Sequence, residues 1–157
     1  MELILWRHAE AAAGEPDTTR PLTERGRHQA ERMARFLAPR LPVDLRVLVS
    51  PARRAQETAR ALGRSFETVE RIAPGCGIEE ILDAAGWPES ERTVLLVGHQ
   101  PTLGEVAAKL VEGRGSGWNL GTGAVYWLRG HQRTDRRETA VLLLIEPEIL
   151  ERGEPAC

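Results

Sequence analysis

At 157 residues the chain is sized for one domain over 1–157, long enough to remove about 70% of its unfolded surface from water. An apolar fraction of 41%, a charged fraction of 28% and a net charge of −2 are ordinary for a soluble globular protein. They offer nothing to nucleic acid, which asks for a basic surplus, and no apolar run approaches the roughly 18 residues of a membrane span.

The first strand is expected over 2–7, ending on Arg7-His8. Its apolar start, Leu3-Ile4-Leu5-Trp6, is too short for a signal peptide and has no basic flank. From Leu22 the positions Ala30, Met33, Ala34 and Leu37 recur at helical spacing, with Arg25, Arg32 and Arg35 on the opposite face. Thr23 reads as the N-cap of this helix, and Pro39 to Pro42 closes it. A strand over 45–49 leads into a second helix with Ser50 as N-cap, Pro51 at the first helical position, and Ala55, Ala59 and Leu62 on one face. Gly63 ends it. A strand over 66–71, a short helix from Ile78 to Ala85 and a strand over 93–98 follow. The next helix runs from Pro101 through Leu103, Val106, Ala107, Leu110 and Val111 to Gly113. Strands over 123–129 and 139–145, joined by the polar stretch 130–138, read as a hairpin. Leu95-Leu96-Val97 and Val141-Leu142-Leu143-Leu144-Ile145 are continuous apolar runs, the pattern of strands buried on both faces. Residues 146–157 read as a loosely held polar tail. Strands alternating with helices require crossover connections, hence an α/β fold with a mostly parallel sheet, helices on both faces and an antiparallel strand from the hairpin.

Ligands of open α/β sheets bind outside the carboxyl ends of the strands. Arg7-His8, Ser50 to Arg54 and Gly98-His99 all fall at such ends, and the last two open helices, whose free N–H groups add positive charge. Helical side chains lean toward their own N-terminus, so Arg54 should point back to the sheet edge. Two guanidiniums, two imidazoles and two helix N-termini make a pocket for a phosphoryl dianion, whose transfer is catalysed mainly by positioned donors for its spreading charge.

Other phosphoryl chemistries lack their residues. Cys76 is not followed by a Cys-x5-Arg loop, no Asp-x-Asp follows the first strand, and Gly-x4-Gly-Lys-Ser/Thr is absent. The Gly-x-Gly pattern within 113–123 follows a helix, so it is no dinucleotide fingerprint. No carboxylates cluster with His8 or His99 as metal ligands would, so neither metal nor cofactor is expected. A histidine is left as nucleophile, able to form a phosphoenzyme and kept neutral by nearby arginines. His28 and His131 read as solvated. Cys76 and Cys157 form no C-x-x-C pair and read as incidental thiols of a reducing cytosol.

The motifs Arg7-His8-Ala9-Glu10, Pro21-Leu22-Thr23-x-x-Gly26, Ser50-Pro51-x-x-Arg54-Ala55-Gln56-x-Thr58 and Gly98-His99-Gln100-Pro101 are each similar to a motif of the histidine phosphatase superfamily, the phosphoglycerate-mutase-like enzymes. The compact length and Asp17-Thr18-Thr19-Arg20-Pro21-Leu22-Thr23 resemble the SixA-type phosphohistidine phosphatases in particular. The resemblance implies a three-layer α/β/α sandwich without the helical insertion of larger members. It implies His8 as the phosphorylated nucleophile, with Arg7, Arg54 and His99 on the phosphoryl oxygens, and it chooses Arg54 over its neighbour Arg53 by spacing from Ser50. Arg20 would join the phosphate or substrate contacts, as would Ser50.

Larger members carry a glutamate general acid near their insertion, whereas here only 38 residues, 55 to 92, lie between Arg54 and Thr93. Asp17 and Glu70 are the candidates. Without a dedicated acid the enzyme should favour phosphohistidine, whose imidazole leaving group can be protonated in advance, over an alkoxide. The expected partner is therefore a phosphohistidine-bearing signalling protein, with phosphate and vanadate as inhibitors. The alternatives are a small phosphoester, such as a sugar phosphate or nucleotide, and a binding module that does not turn over. The latter would have no need of a nucleophile between two arginines.

Overall fold

The computed structural model describes residues 1–114, 117–132 and 137–151. Six strands form one sheet: β1 (Glu2–Arg7), β2 (Arg46–Val49), β3 (Glu67–Thr68), β4 (Val94–Gly98), β5 (Val125–Gln132) and β6 (Arg137–Ile145). Their order is β3-β2-β4-β1-β5-β6. Pairings among β1 to β4 are parallel, while β5 runs antiparallel to both β1 and β6. Among the described residues five α-helices accompany them: α1 (Glu24–Leu37), α2 (Arg53–Arg60), α3 (Ile78–Ala85), α4 (Thr102–Glu112) and α5 (Pro147–Glu151).

The period-two alternation of the central strands divides the core. Leu3, Leu5, Leu48 and Leu96 meet Ile81 and Leu82 of α3 and Leu103, Val106 and Ala107 of α4. Ile4, Trp6, Val47, Val49, Leu95 and Val97 meet Met33, Ala34 and Leu37 of α1 and Ala55 and Ala59 of α2. The result is a three-layer α/β/α sandwich, and truncating a fully buried residue such as Leu96 to alanine should cost about 2–5 kcal/mol. Among the described residues no helix is long and apolar enough to cross a membrane.

Thr23 caps α1 as its sequence position suggests, its hydroxyl accepting from Gly26 N at 2.9 Å. Gly26 itself is required by proximity. A Cβ there would stand 2.0 Å from the carbonyl oxygen of Glu10, so only glycine lets the first turn of α1 lie against the segment leaving β1.

Four expectations need correction. The strand over 66–71 pairs only at Glu67 and Thr68, after which Glu70–Ile72 forms a 3-10 turn that carries Ile72 into the core. Helix α2 begins at Arg53 with Ala52 in the N-cap position and no side-chain cap, which leaves Ser50 two residues ahead of the cap, its hydroxyl between Ala52 N and His99. The apolar run of β6 is not buried on both faces. It is the sheet's edge, paired on one side by β5, and Val141, Leu142 and Leu144 are 42%, 40% and 55% exposed. His131 belongs to β5 rather than to a hairpin loop, though it is exposed.

The stretch read as a polar tail contains α5, where Pro147 is buried and Glu148 and Glu151 pair with Arg25 and Arg32 of α1 at 3.2 and 2.7 Å. Residues 152–157, including Cys157, lie outside the described residues.

Candidate active site

Because β2, β4 and β1 are consecutive in the sheet, their carboxyl ends bring Ser50, His99 and Arg7-His8 to one place. The chain is fastened there by backbone bonds from His8 N to Gly98 O at 3.0 Å and from Ser50 N to Val97 O at 3.1 Å. Arg54 enters from the first turn of α2.

His8 is 9% exposed. Its Nδ1 lies 2.8 Å from the carbonyl oxygen of Ala9, which can only accept, so Nδ1 carries the proton and Nε2 the lone pair. Arg54 Nε donates to that lone pair at 3.2 Å. Burial first, and the charges of Arg54, Arg7 and Arg20 after it, pull the His8 pKa down to about 4 against the opposing hydrogen bond to Ala9. The imidazole is therefore neutral at neutral pH, with no proton on Nε2. His99 stands beside it, ring centroids 5.1 Å apart. Its Nε2 lies 2.7 Å from Ser50 Oγ and its Nδ1 3.4 Å from an Arg54 terminal nitrogen. Burial, with His8 and Arg54 adding to it, lowers its pKa to about 3.

Arg54 is 3% exposed, and every nitrogen of its guanidinium is engaged. Besides Nε on His8, one terminal nitrogen donates to the Asp17 carbonyl at 2.7 Å, and the other to Asp17 Oδ2 at 2.9 Å. Arg7 donates to the carbonyl of Leu120, and its Nε is buried without a partner. Arg20 binds Asp17 Oδ1 at 2.7 Å and the carbonyl of Ala12 at 3.1 Å. Asp17 thus bridges two arginines, and their hydrogen bonds, Arg54's foremost, hold its carboxyl below the usual range.

The placements of the other candidates differ in kind. Ser50 is fully buried, its hydroxyl near His99 and accepting from Ala52 N at 3.3 Å, so it touches the second histidine rather than an open cavity. Arg53 is exposed and pairs with Glu57 at 2.6 Å, outside the cluster. Glu70 is exposed on its 3-10 turn, with no hydrogen bond or ion pair to His8, His99, Arg7 or Arg54. The Asp17 carboxyl is therefore held ionised, and Glu70 makes no contact with the cluster through which it could act as its acid.

Several supporting residues escaped the sequence reading, although the motifs contain Gln56, Thr58 and Gln100. Thr58 donates to the Arg54 carbonyl at 2.7 Å and accepts from Ala9 N at 3.0 Å, tying α2 to the residue after His8. Gln56 holds the Ser50 carbonyl at 2.7 Å. Gln29, buried in α1, accepts from Glu10 N at 2.9 Å. Gln100 bonds both Gly104 N and the Trp118 carbonyl, and a Cβ on Gly104 would fall 1.8 Å from that carbonyl oxygen. Only the motif spacing hinted at these roles. Among the described residues no group of three or more His, Cys, Asp or Glu side chains is arranged to hold a metal ion.

Known proteins are similar to this chain in sequence and in fold. The histidine phosphatase superfamily (branch 1) profile matches residues 3–81. Phosphohistidine phosphatase SixA of Escherichia coli is 32% identical over 123 residues, covering 72% of this chain and 76% of its own. A SixA homolog from Haemophilus influenzae is 32% identical over 126 residues, covering 70% and 77%. The solved structure of the protein histidine phosphatase SixA complexed with tungstate superposes with a TM-score of 0.81 at 26% identity, over 96% of this chain and 99% of that one. With the matched region running from β1 through α3 and so containing Arg7, His8 and Arg54, the chain belongs to the histidine phosphatase superfamily.

Proposed function

We propose that this protein is a metal-independent phosphohistidine phosphatase that works through a phosphorylated His8. The observation that carries the reading is the Nε2 lone pair of a neutral His8, fixed by the Ala9 carbonyl and set against Arg54 in a cluster of arginines. An incoming phosphoryl group would take over the Arg54 Nε–H now resting on that lone pair. His8 Nε2 then forms a bond to phosphorus as the P–N bond to the substrate imidazole breaks, its electron pair returning to the leaving ring. Arg7, Arg54 and the pocket side of His99 would hold the three equatorial oxygens, with Arg20 at the rim. Water next attacks phospho-His8, releasing inorganic phosphate and restoring the neutral imidazole.

His99 is suited to both steps through Ser50. The hydroxyl can accept from Nε2–H or donate to Nε2, so it accommodates either His99 tautomer; with Ser50 donating to Nε2, the His99 proton sits on Nδ1, the nitrogen on the Arg54 side, where it could donate to a phosphoryl oxygen. Ser50 is therefore assigned to orienting His99, while Arg20 is assigned to phosphate or substrate.

The substrate follows from the missing acid. An alkoxide would have to leave as a strong base, whereas a phosphohistidine ring protonated on its other nitrogen leaves as neutral imidazole. Between α2 and β4 the described chain forms only β3, a 3-10 turn and α3, and α3 puts Ile81, Leu82, Ala84 and Ala85 into the core rather than over His8. A site without a helical insertion over it suits a protein-borne phosphohistidine better than a metabolite. The phosphatase activity of the SixA relatives supports the same choice. A reducing cytosol is the proposed location, and phosphate and vanadate are the proposed inhibitors.

A panel comparing a phosphohistidine peptide with sugar phosphates and nucleotides tests the reading. Preference for the P–N substrate is expected; higher kcat/KM on any alkyl phosphoester would overturn the assignment in favour of a small-molecule phosphatase.

A further inference from the structure

The most unusual feature of the site is a carboxylate among its arginines. Asp17 lies on the 3-10 turn Asp17–Thr19, its side chain 49% exposed, and its two oxygens reach Arg54 at 2.9 Å and Arg20 at 2.7 Å. An acid donor would not be placed between two guanidiniums, which keep it ionised. The same Arg54 nitrogen that binds Asp17 also faces His99 Nδ1 at 3.4 Å, so the carboxylate stands one guanidinium away from the phosphoryl position.

Taking the phosphatase reading as its basis, we infer that Asp17 is a positioning residue that acts as the internal counter-anion of the phosphate site. Arg7, Arg20 and Arg54 together with one carboxylate and two neutral histidines balance a phosphoryl dianion charge for charge. Without the carboxylate the same pocket would hold inorganic phosphate too tightly, and the product would be slow to leave. Asp17 sets this balance through charge rather than by fastening the arginines alone. Arg54 is also held by the Asp17 backbone carbonyl, by His8 and against His99, and Arg20 by the carbonyl of Ala12. These bonds survive a change of the side chain.

The test is calorimetric titration of the full chain with inorganic phosphate at low ionic strength, for wild type, Asp17→Asn and Asp17→Glu. Asn removes the charge and keeps one acceptor oxygen, its NH2 replacing the oxygen that faces the other arginine. With roughly 6 Å between carboxylate and dianion and a near-water dielectric, Asp17→Asn should bind phosphate about tenfold more tightly. The difference should shrink as salt is raised. Asp17→Glu, which keeps the charge, should stay close to wild type. A purely structural role predicts the opposite sign, since looser arginines bind phosphate more weakly. Unchanged or weaker binding in Asp17→Asn, or equal tightening in Asp17→Glu, overturns the inference while leaving the phosphatase reading in place. Failure of the wild-type protein to bind phosphate at all would instead remove the site on which both rest.

Discussion

Replacing Arg54 by alanine should cripple turnover while leaving the fold in place, and its neighbour supplies the control. Arg54 is 3% exposed and puts Nε on the His8 lone pair, whereas Arg53, one position earlier on α2, is exposed and reaches only Glu57. Loss of one oxyanion donor typically costs about 3 kcal/mol of transition-state stabilisation, or about 100-fold or more in rate. Arg54 also helps hold His8 neutral, so the variant's nucleophile is less firmly deprotonated as well as less firmly aimed. The stability loss should be smaller. The Arg54–Asp17 pair has one half-exposed partner, and water screening limits such a pair to about 1 kcal/mol or less. Steady-state kcat/KM on a phosphohistidine peptide, measured beside thermal unfolding of each variant, separates the two effects. Arg53→Ala should remain near wild type in both. A mild Arg54→Ala variant, or a severe Arg53→Ala one, would refute the geometry from which the roles are assigned.

Stability should fall between pH 6.5 and 4. The unfolded histidines take up protons near their ordinary value while His8 and His99, held at about 4 and 3, do not, so acid favours the unfolded chain by about 3 kcal/mol per histidine. Urea midpoints at pH 7, 5.5 and 4 will show it, and a flat profile would mean the imidazoles are protonated in place. Activity should persist in excess EDTA, because side chains supply the positive charge; a loss restored only by a divalent ion would contradict that. Thr58→Val should destabilise by about 1–3 kcal/mol, since it leaves Ala9 N buried without an acceptor, and should lower kcat more than Arg53→Ala does. Unchanged melting and turnover in that variant would leave the α2 tether without a role.

The convergence of Arg7, His8, Arg54 and His99 was legible because each follows an apolar run, and strand ends in a parallel sheet share one edge. Helix α1 was legible down to its cap, since Thr23 and the spacing of Ala30, Met33, Ala34 and Leu37 are local signals. What escaped was set by tertiary position. The run Val141–Ile145 reads as doubly buried, yet a continuous apolar sequence does not say whether a strand is central, and β6 is at the edge. Ser50 carries every local mark of an N-cap, but the proximity of β2 and β4 offers its hydroxyl a histidine. Asp17 reads as a candidate acid because sequence shows a carboxyl near the site and not the two guanidiniums that ionise it. Thr58 and Gln56 sit in the motif that begins at Ser50 with no visible purpose until α2 lies against β1 and β2.

The nucleophile is the central claim, and rapid quenching during turnover of a ³²P-labelled phosphohistidine substrate tests it most directly. The account predicts a labelled phosphoenzyme that is acid-labile and base-stable, as a P–N bond should be, mapping to the peptide that contains His8. His8→Ala should abolish label and turnover together, whereas His99→Ala should still form label slowly. Label on His99 would exchange the two roles. Absence of any label, with chiral phosphate substrate turned over by inversion at phosphorus, would mean direct attack by water and would contradict the account.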